Sequence, residues 1–444
     1  MAHHDLTSKM IPYLDRHLSF PLLEYLGLKE IYDVKDILQA KYDLMSKTNM
    51  VDFAITLYQE LHKVEEVPAD LSKRREEILA TLNSYTEQAA KVMEVIENPK
   101  VIGALRQDKE QNIKLLQENF DVDSQAIYTL YQIGQYQYTL GNYGACIDML
   151  YHYQILSLDE RLVLSSIWGK LASEILSGNW ENAYTDLQKL KEATENGRQT
   201  SAIQLLHQRT HLIHWSLFIF FNHQNGKDYL LDMLFQPQYI NTIQTSCPWI
   251  LRYVAAAAVI SRRRKNVLKD LIKVIQEESH AYEDPITQFV KALYVDIDFD
   301  GAQAKLKECE DVISNDFFLT ASSDDFFESA RILILEAYCR TNQRINISLL
   351  SERLNLSPEE GEKWIVNLIR DTRVDAKIDF TDNSVVMNPI NTSIYRQMIE
   401  KTRDVVFQSR MMINGIEKRD NALAAAKDNK KSGNNRRQNT SAAH

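Results

Sequence analysis

The sequence predicts a mostly α-helical protein: a solenoid of tetratricopeptide-like helical repeats runs into a winged helix, followed by a C-terminal helix. Three observations predict it. Only 13 Gly and 9 Pro occur in 444 residues, which suits long helices better than a many-turned β protein. A Gly-Asn-aromatic turn occurs twice, at Gly141-Asn142-Tyr143 and Gly178-Asn179-Trp180. From Gln343 the apolar spacing changes from helical to strand-like and back, as in a strand, two helices and a β-hairpin.

From Leu6 to about Glu118 the spacing is helical. Ile11, Leu14 and Leu18, then Leu22, Leu23 and Leu26, recur every three or four residues, broken by Pro21 and Gly27. Asn49 to Ala54 opens another helix with Leu57, Tyr58 and Leu61 on one face, and Pro68 and Pro99 mark later turns. In the repeat, Tyr143 precedes Cys146 and Leu150 at the spacing by which Trp180 precedes Ala183 and Leu187. Gly134 stands before the first turn as in a helix-turn-helix unit. The glycine ends one helix, the aromatic wedges between two, and the small residue lets them approach, so neighbouring units bury each other's apolar faces. Ordinary antiparallel helices with glycine C-caps are the alternative. Helices continue over Leu205–Phe221, Tyr239–Ile260 and Val267–Glu278, with Pro237, Pro248 and Pro285 between them. Ser322–Arg340 is the last helix before the strand. Ala330, Leu333, Ile334 and Ala337 form its buried stripe, and Ser322 with Asp325 can cap it.

Ile345 and Ile347 alternate with polar neighbours, as in a half-buried strand. Leu350 and Leu354 begin a helix that turns at Asn355-Leu356-Ser357. Ser357, Pro358 and Glu360 then supply an N-cap, a first-turn proline and a capping box. Trp364, Ile365, Leu368 and Ile369 stripe the second helix. Lys377–Phe380 and Val385–Met387 are the wing strands, with Asp382-Asn383 at the turn between them. Between Arg340 and Asn388 seven Lys/Arg face eight acids, a net charge of −1, and Glu359, Glu360 and Glu362 open the helix that would enter a DNA groove. Duplex binding needs a basic face, so the winged helix reads as a protein-contact element.

Beyond Pro389, Ile394, Met398, Val405, Met412 and Ile416 form a narrow coiled-coil-like seam. From Glu417 seven basic residues against three acids make a tail of net +4 with little to bury. The expected organisation is helical repeats over 1–220 and a second domain over 221–392, comprising a helical part (221–340) and a winged helix (343–390). An assembly helix (393–417) and a disordered basic tail (418–444) follow.

A formal charge of −10 argues against general nucleic-acid binding. Cys146, Cys247, Cys309 and Cys339 are far apart with no CxxC pair, as expected of buried apolar thiols in a reducing compartment. Met1–Met10 has no apolar core, so no signal peptide is expected. Pro248–Ile260 is too short for a membrane span and contains Arg252.

Two motifs imitate chemistry. His207, His211 and His214 share a helical face, but His-Gln-Arg-Thr-His lacks the zincin glutamate. Asp296, Asp298 and Asp300 with Gly301 resemble the start of a calcium loop, but its twelfth position is Lys307. With no phosphate-binding glycine loop and no nucleophile elbow, no catalytic residue, metal or cofactor is expected. Arg262-Arg263-Arg264-Lys265 is the densest basic run before the tail, and reads either as a solvated helix end or as an RNA or partner contact.

Several stretches carry a resemblance. Ile345, Ile347, Leu349-Leu350, Leu354, Leu356-Ser357, Glu359-Glu360, Trp364-Ile365, Leu368-Ile369 and Ala376–Asp379 resemble the PCI family, named for the proteasome lid, the signalosome and an initiation factor. Asp371–Val374 stands where the family often has a glycine before the wing. Trp364–Arg370, Asp232–Pro237 and Asn315–Leu319 resemble the branch found in eukaryotic translation initiation factor 3. The resemblance implies a non-catalytic scaffold whose sister subunits meet the wing (Lys377, Ile378, Asp379, Phe380) and the seam (Ile394, Met398, Val405, Met412). It further implies an assembly on the small ribosomal subunit that recruits mRNA, with mRNA or rRNA as candidate contacts of the basic run. The expected location is the cytoplasm, with the nucleus as a second one, and no membrane partner. A lid or signalosome scaffold is the alternative.

Overall fold

The computed structural model describes residues 4–63, 68–96, 109, 124–196, 201–261, 264–342, 344–346, 376–379, 384–387, 394–395, 398–399 and 401–419. The chain divides into two compact units, Met1–Tyr338 and Cys339–His444.

The first unit is helical. A short turn α1 (Thr7–Met10) leads into α2 (Arg16–Leu28), α3 (Val34–Met45), α4 (Val51–His62) and α5 (Ala69–Ile96). Asp15 caps α2 by accepting from the His17 amide at 3.1 Å. Pro21 does not break α2 as its sequence position suggests. Leu18, Leu22, Leu23 and Leu26 are all buried along one stripe, and that burial outweighs the single main-chain hydrogen bond a helical proline removes.

The repeat follows. α6 (Ser124–Leu140) ends at Gly141 with φ +85°, and α7 (Tyr143–Leu156) starts two residues later. α8 (Glu160–Ser177) ends at Gly178 with φ +76°, and α9 (Trp180–Asn196) follows likewise. Both glycines occupy the left-handed region that favours this residue. Cys146 and Ala183 are both fully buried, and Leu150 and Leu187 match them. Leu150 explains a further glycine. A Cβ on Gly134 of α6 would lie 2.7 Å from Leu150 Cδ2, and one on Gly169 of α8 would lie 3.1 Å from Cδ1. The two glycines open a slot into which α7 inserts its leucine.

α10 (Ala202–Asn222) is the central helix, with every residue from Leu212 to Phe221 buried. α11 (Gly226–Leu234), α12 (Pro237–Ser246), α13 (Leu251–Ile260), α14 (Lys265–Glu278) and α15 (Pro285–Lys291) wrap around it. Pro248 separates α12 from the segment Pro248–Ile260, and the two bend by 117°. No single helix among the described residues is long and apolar enough to cross a membrane. A π-helical turn, Ala292–Asp296, precedes α16 (Phe299–Asn315), and α17 (Ser323–Thr341) closes the series. α17 buries Ala330, Leu333 and Ile334, with Ala337 partly covered. It starts after Ser322, in the position expected of its cap, while Asp325 pairs with Lys227 at 3.1 Å. One apolar core runs from Leu6 to Ile334, and the expected junction at 220/221 falls inside α10.

The second unit contains a three-stranded antiparallel sheet. β1 (Arg344–Asn346), β2 (Ala376–Asp379) and β3 (Ser384–Met387) are ordered β1-β3-β2. Ile345 and Ile378 both pair with Val385, the register of a wing hairpin with an added strand. The expected helices between Leu350 and Ile369, Phe380, the Asp382-Asn383 turn and the tail from 420 lie outside the described residues. A helix α18 spans 401–419 with every residue exposed.

Candidate functional site

The two motifs that imitate metal sites have structural roles. His207 is exposed, while His211 and His214 turn onto Tyr13 of the N-terminal segment. His211 Nδ1 lies 2.8 Å from the Tyr13 carbonyl, which also accepts from Trp215 Nε1 at 3.1 Å. His214 Nδ1 lies 2.7 Å from the Thr210 carbonyl, and Trp249 Nε1 donates to His214 Nε2 at 3.2 Å. The Thr210 carbonyl only accepts and the Trp249 N–H only donates, so His214 is the neutral tautomer with its proton on Nδ1 and a bare Nε2. Burial lowers its pKa to about 4, against the Thr210 carbonyl, which raises it. Asp298 of the acidic turn caps α16, accepting from the Gly301 amide at 3.1 Å. Among the described residues no group of three or more His, Cys, Asp or Glu could hold a metal ion.

The thiols Cys146, Cys247 and Cys309 are buried as expected, and Cys339 is only half-buried. Burial pushes Cys146 up to about 11 and Cys247 to about 12, so both are unreactive protonated thiols.

The largest buried charge is Arg252, which in the sequence only interrupts an apolar run. It lies in α13 and is 2% exposed. Its Nη2 donates to Asp284 Oδ1 at 2.6 Å and to the His4 carbonyl at 2.8 Å, and Nε donates to Asp284 Oδ2 at 3.2 Å. Nη1 donates to Asp316 Oδ2 at 3.2 Å, and Tyr253 donates to the same oxygen at 3.1 Å. Asp284 also caps α15, and Asp316 holds the Phe318 amide at 3.0 Å. Burial raises the Asp316 carboxyl, while Arg252 and the Phe318 amide oppose the shift. One guanidinium therefore ties together the N-terminal segment, α13, the start of α15 and the end of α16. The available signal was an arginine inside an apolar run, which must find a buried anion.

Three candidate contact surfaces remain. In the basic run, Arg264 is already committed: its guanidinium meets Asp232, and its Nε lies 3.4 Å from Asp228. Lys265 begins α14, and Arg262 and Arg263 lie outside the described residues. Replacing Arg262, Arg263 and Arg264 with Glu is expected to lower stability by about 1 kcal/mol or less, because partly exposed pairs are screened. Thermal unfolding checks this, and collapse of the fold would make the run structural.

Lys377, Ile378 and Asp379 lie in β2, at one edge of the described sheet, so its outer N–H and C=O groups have no strand beside them there. The third surface is the C-terminal helix. Ile394, Met398, Val405, Met412 and Ile416 are 59–75% exposed. The apolar surface is wider than the expected seam, because Tyr395, Ile399, Val406 and Ile413 are exposed as well. At 100° per residue the two rows together cover roughly 140° of the helix.

A family model described as the PCI domain matches residues 306–389, over the end of the helical unit and the sheet. A helical body leading into this sheet therefore defines a PCI-type protein. A second model, described as the eIF3 subunit 6 N terminal domain, matches residues 5–137. The chain is 49% identical over 417 residues to the E subunit of eukaryotic translation initiation factor 3 of Emericella nidulans, covering 92% of this chain and 93% of that protein. The same-named protein of Aspergillus niger is 49% identical over 424 residues, covering 94% and 93%, and that of Botryotinia fuckeliana is 45% identical over 422 residues, with the same shares. The chain belongs to the family of the E subunit of eukaryotic translation initiation factor 3, a translation initiation factor family.

Proposed function

We propose that this chain is a scaffold that joins sister subunits of initiation factor 3 through its C-terminal helix and its wing edge. The observation that supports this reading best is the helix over 401–419, which is exposed at every residue. An apolar strip of that width costs free energy in water, and a single neighbouring helix covers a narrower seam. The strip suits a helix lodged between two others, with Ile394, Met398, Val405 and Met412 toward one and Tyr395, Ile399, Val406 and Ile413 toward the second. The edge of β2 at Lys377–Asp379 offers main-chain groups to a partner strand.

The complex so formed would sit on the small ribosomal subunit and assist mRNA recruitment, in the cytoplasm and additionally in the nucleus. Arg262, Arg263 and Lys265 are the residues we assign to an RNA or partner contact, since Arg264 is held by Asp228 and Asp232. Within the chain we assign 393–417 to assembly. Affinity capture of the tagged chain from cells is expected to recover sister subunits of initiation factor 3. Recovery of proteasome-lid or signalosome subunits instead would overturn the reading.

A further inference from the structure

The second copy of the repeat contains a buried ionic group. It lies between α8 and α9. Lys170 Nζ sits 3.3 Å from Glu174 Oε1 and 2.9 Å from Asp186 Oδ2, and Lys189 Nζ reaches Asp186 Oδ1 at 2.9 Å. The side chains of Glu174 and Asp186 are 1% and 2% exposed, that of Lys170 is 10% exposed, and that of Lys189 reaches solvent. Glu174 Oε2 is buried with no hydrogen-bond partner. Two carboxylates thus share one buried ammonium, while the second ammonium serves Asp186 alone. A buried carboxylate with an unsatisfied oxygen is expensive, and the neutral acid costs less.

We infer that Glu174 is a proton-controlled joint between α8 and α9: neutral, it lets the two helices close, and ionised, it leaves a charged oxygen buried without a hydrogen-bond partner in their interface and loosens it. The rest of the surroundings supports this division of labour. Burial pushes the Glu174 carboxyl up, the Asp186 charge adds to the shift and Lys170 opposes it, which leaves the group at about 7. Burial also raises Asp186, but Lys170 and Lys189 outweigh it and hold that carboxyl below its usual range. From α7, the Tyr151 ring lies 5.4 Å from Lys170 Nζ, and Cys146 accepts from Ser173. Toward α2 and α6, Asp15, His17 and Tyr138 form a separate hydrogen-bonded set with Tyr143 of α7. Lys170 and Asp186 are the charged groups that act on Glu174.

A folded-state pKa raised above the unfolded value gives stability that is fully present at low pH and lost as pH rises. For Glu174 the loss runs from about 4.5 to about 7. The joint therefore softens as pH rises toward neutrality.

The test compares the full chain with Glu174→Gln, which keeps the shape and stays uncharged. Thermal unfolding from pH 5.5 to 8.5 is expected to show a falling melting temperature in the parent and a flatter profile in the variant. At pH 8 the variant should melt several degrees higher. Parallel profiles would overturn the inference. Amide exchange of the unsubstituted chain, corrected for the intrinsic effect of pH, supplies a second reading that needs no variant. Protection in α8 and α9 should fall between pH 6 and pH 8 relative to α10. Equal protection at the two pH values would overturn the inference as well. Neither measurement involves a partner protein, so both outcomes are independent of the scaffold reading.

Discussion

Replacing Arg252 with Met is expected to lower the stability of the helical unit by about 3–5 kcal/mol, the usual consequence of removing one partner from a buried ion pair. Asp284 and Asp316 would keep their burial and lose the guanidinium between them, and the His4 carbonyl would lose its donor. Urea unfolding followed by circular dichroism measures the change. The loss should be larger at pH 8 than at pH 5. Burial already raises the Asp316 carboxyl and Arg252 opposes it, so without the guanidinium that group rises further. A raised carboxyl gives stability that disappears as pH increases. Adding Asp284→Asn and Asp316→Asn to Arg252→Met should recover part of the loss, because amides can stay buried uncharged. A loss below about 1 kcal/mol would show that the cluster is dispensable, as exposed pairs are.

Cutting the chain after Asn391 should do the opposite: leave the fold and abolish assembly. Every residue over 401–419 is exposed, so the cut removes no buried side chain described there. The melting temperature should stay within a few degrees, and the circular dichroism should fall only by the share of the lost helix. Co-purification with sister subunits should drop at least tenfold. Charged substitutions at Met398 and Val405 should approach that effect, because burying a charge in an apolar interface costs several kcal/mol. If the cut chain unfolds, the helix belongs to this protein's own core. If it folds and assembles normally, the wing edge at Lys377–Phe380 is the next contact to mutate.

The elements legible in the sequence are those specified locally. A glycine followed by Asn and an aromatic fixes a helix end and a wedge within three residues, and both copies fold that way. The strand alternation at Ile345 and Val385–Met387 is equally local. Pro21 misleads because a proline's local penalty is small beside a stripe of buried leucines. The C-terminal strip is wider than its heptad spacing suggests, because Tyr395, Ile399, Val406 and Ile413 form a second row beside the first. Nonlocal pairings are not legible. Arg264 meets one acid 32 residues away, and Arg252 meets one 64 residues away, separations that no periodicity encodes.

The way the N-terminal segment is fastened bears on how the chain is made. The His4 and Tyr13 carbonyls find their donors on Arg252, His211 and Trp215, and Tyr25 finds Thr320, 295 residues further on. A ribosome adds about 5–20 residues per second, so the first helices emerge roughly 15–60 s before the last of these partners exists. Through that interval Leu6, Met10, Leu18 and Leu22 have no finished core to enter. The beginning of the nascent chain therefore keeps these apolar side chains uncovered until its middle has been synthesised.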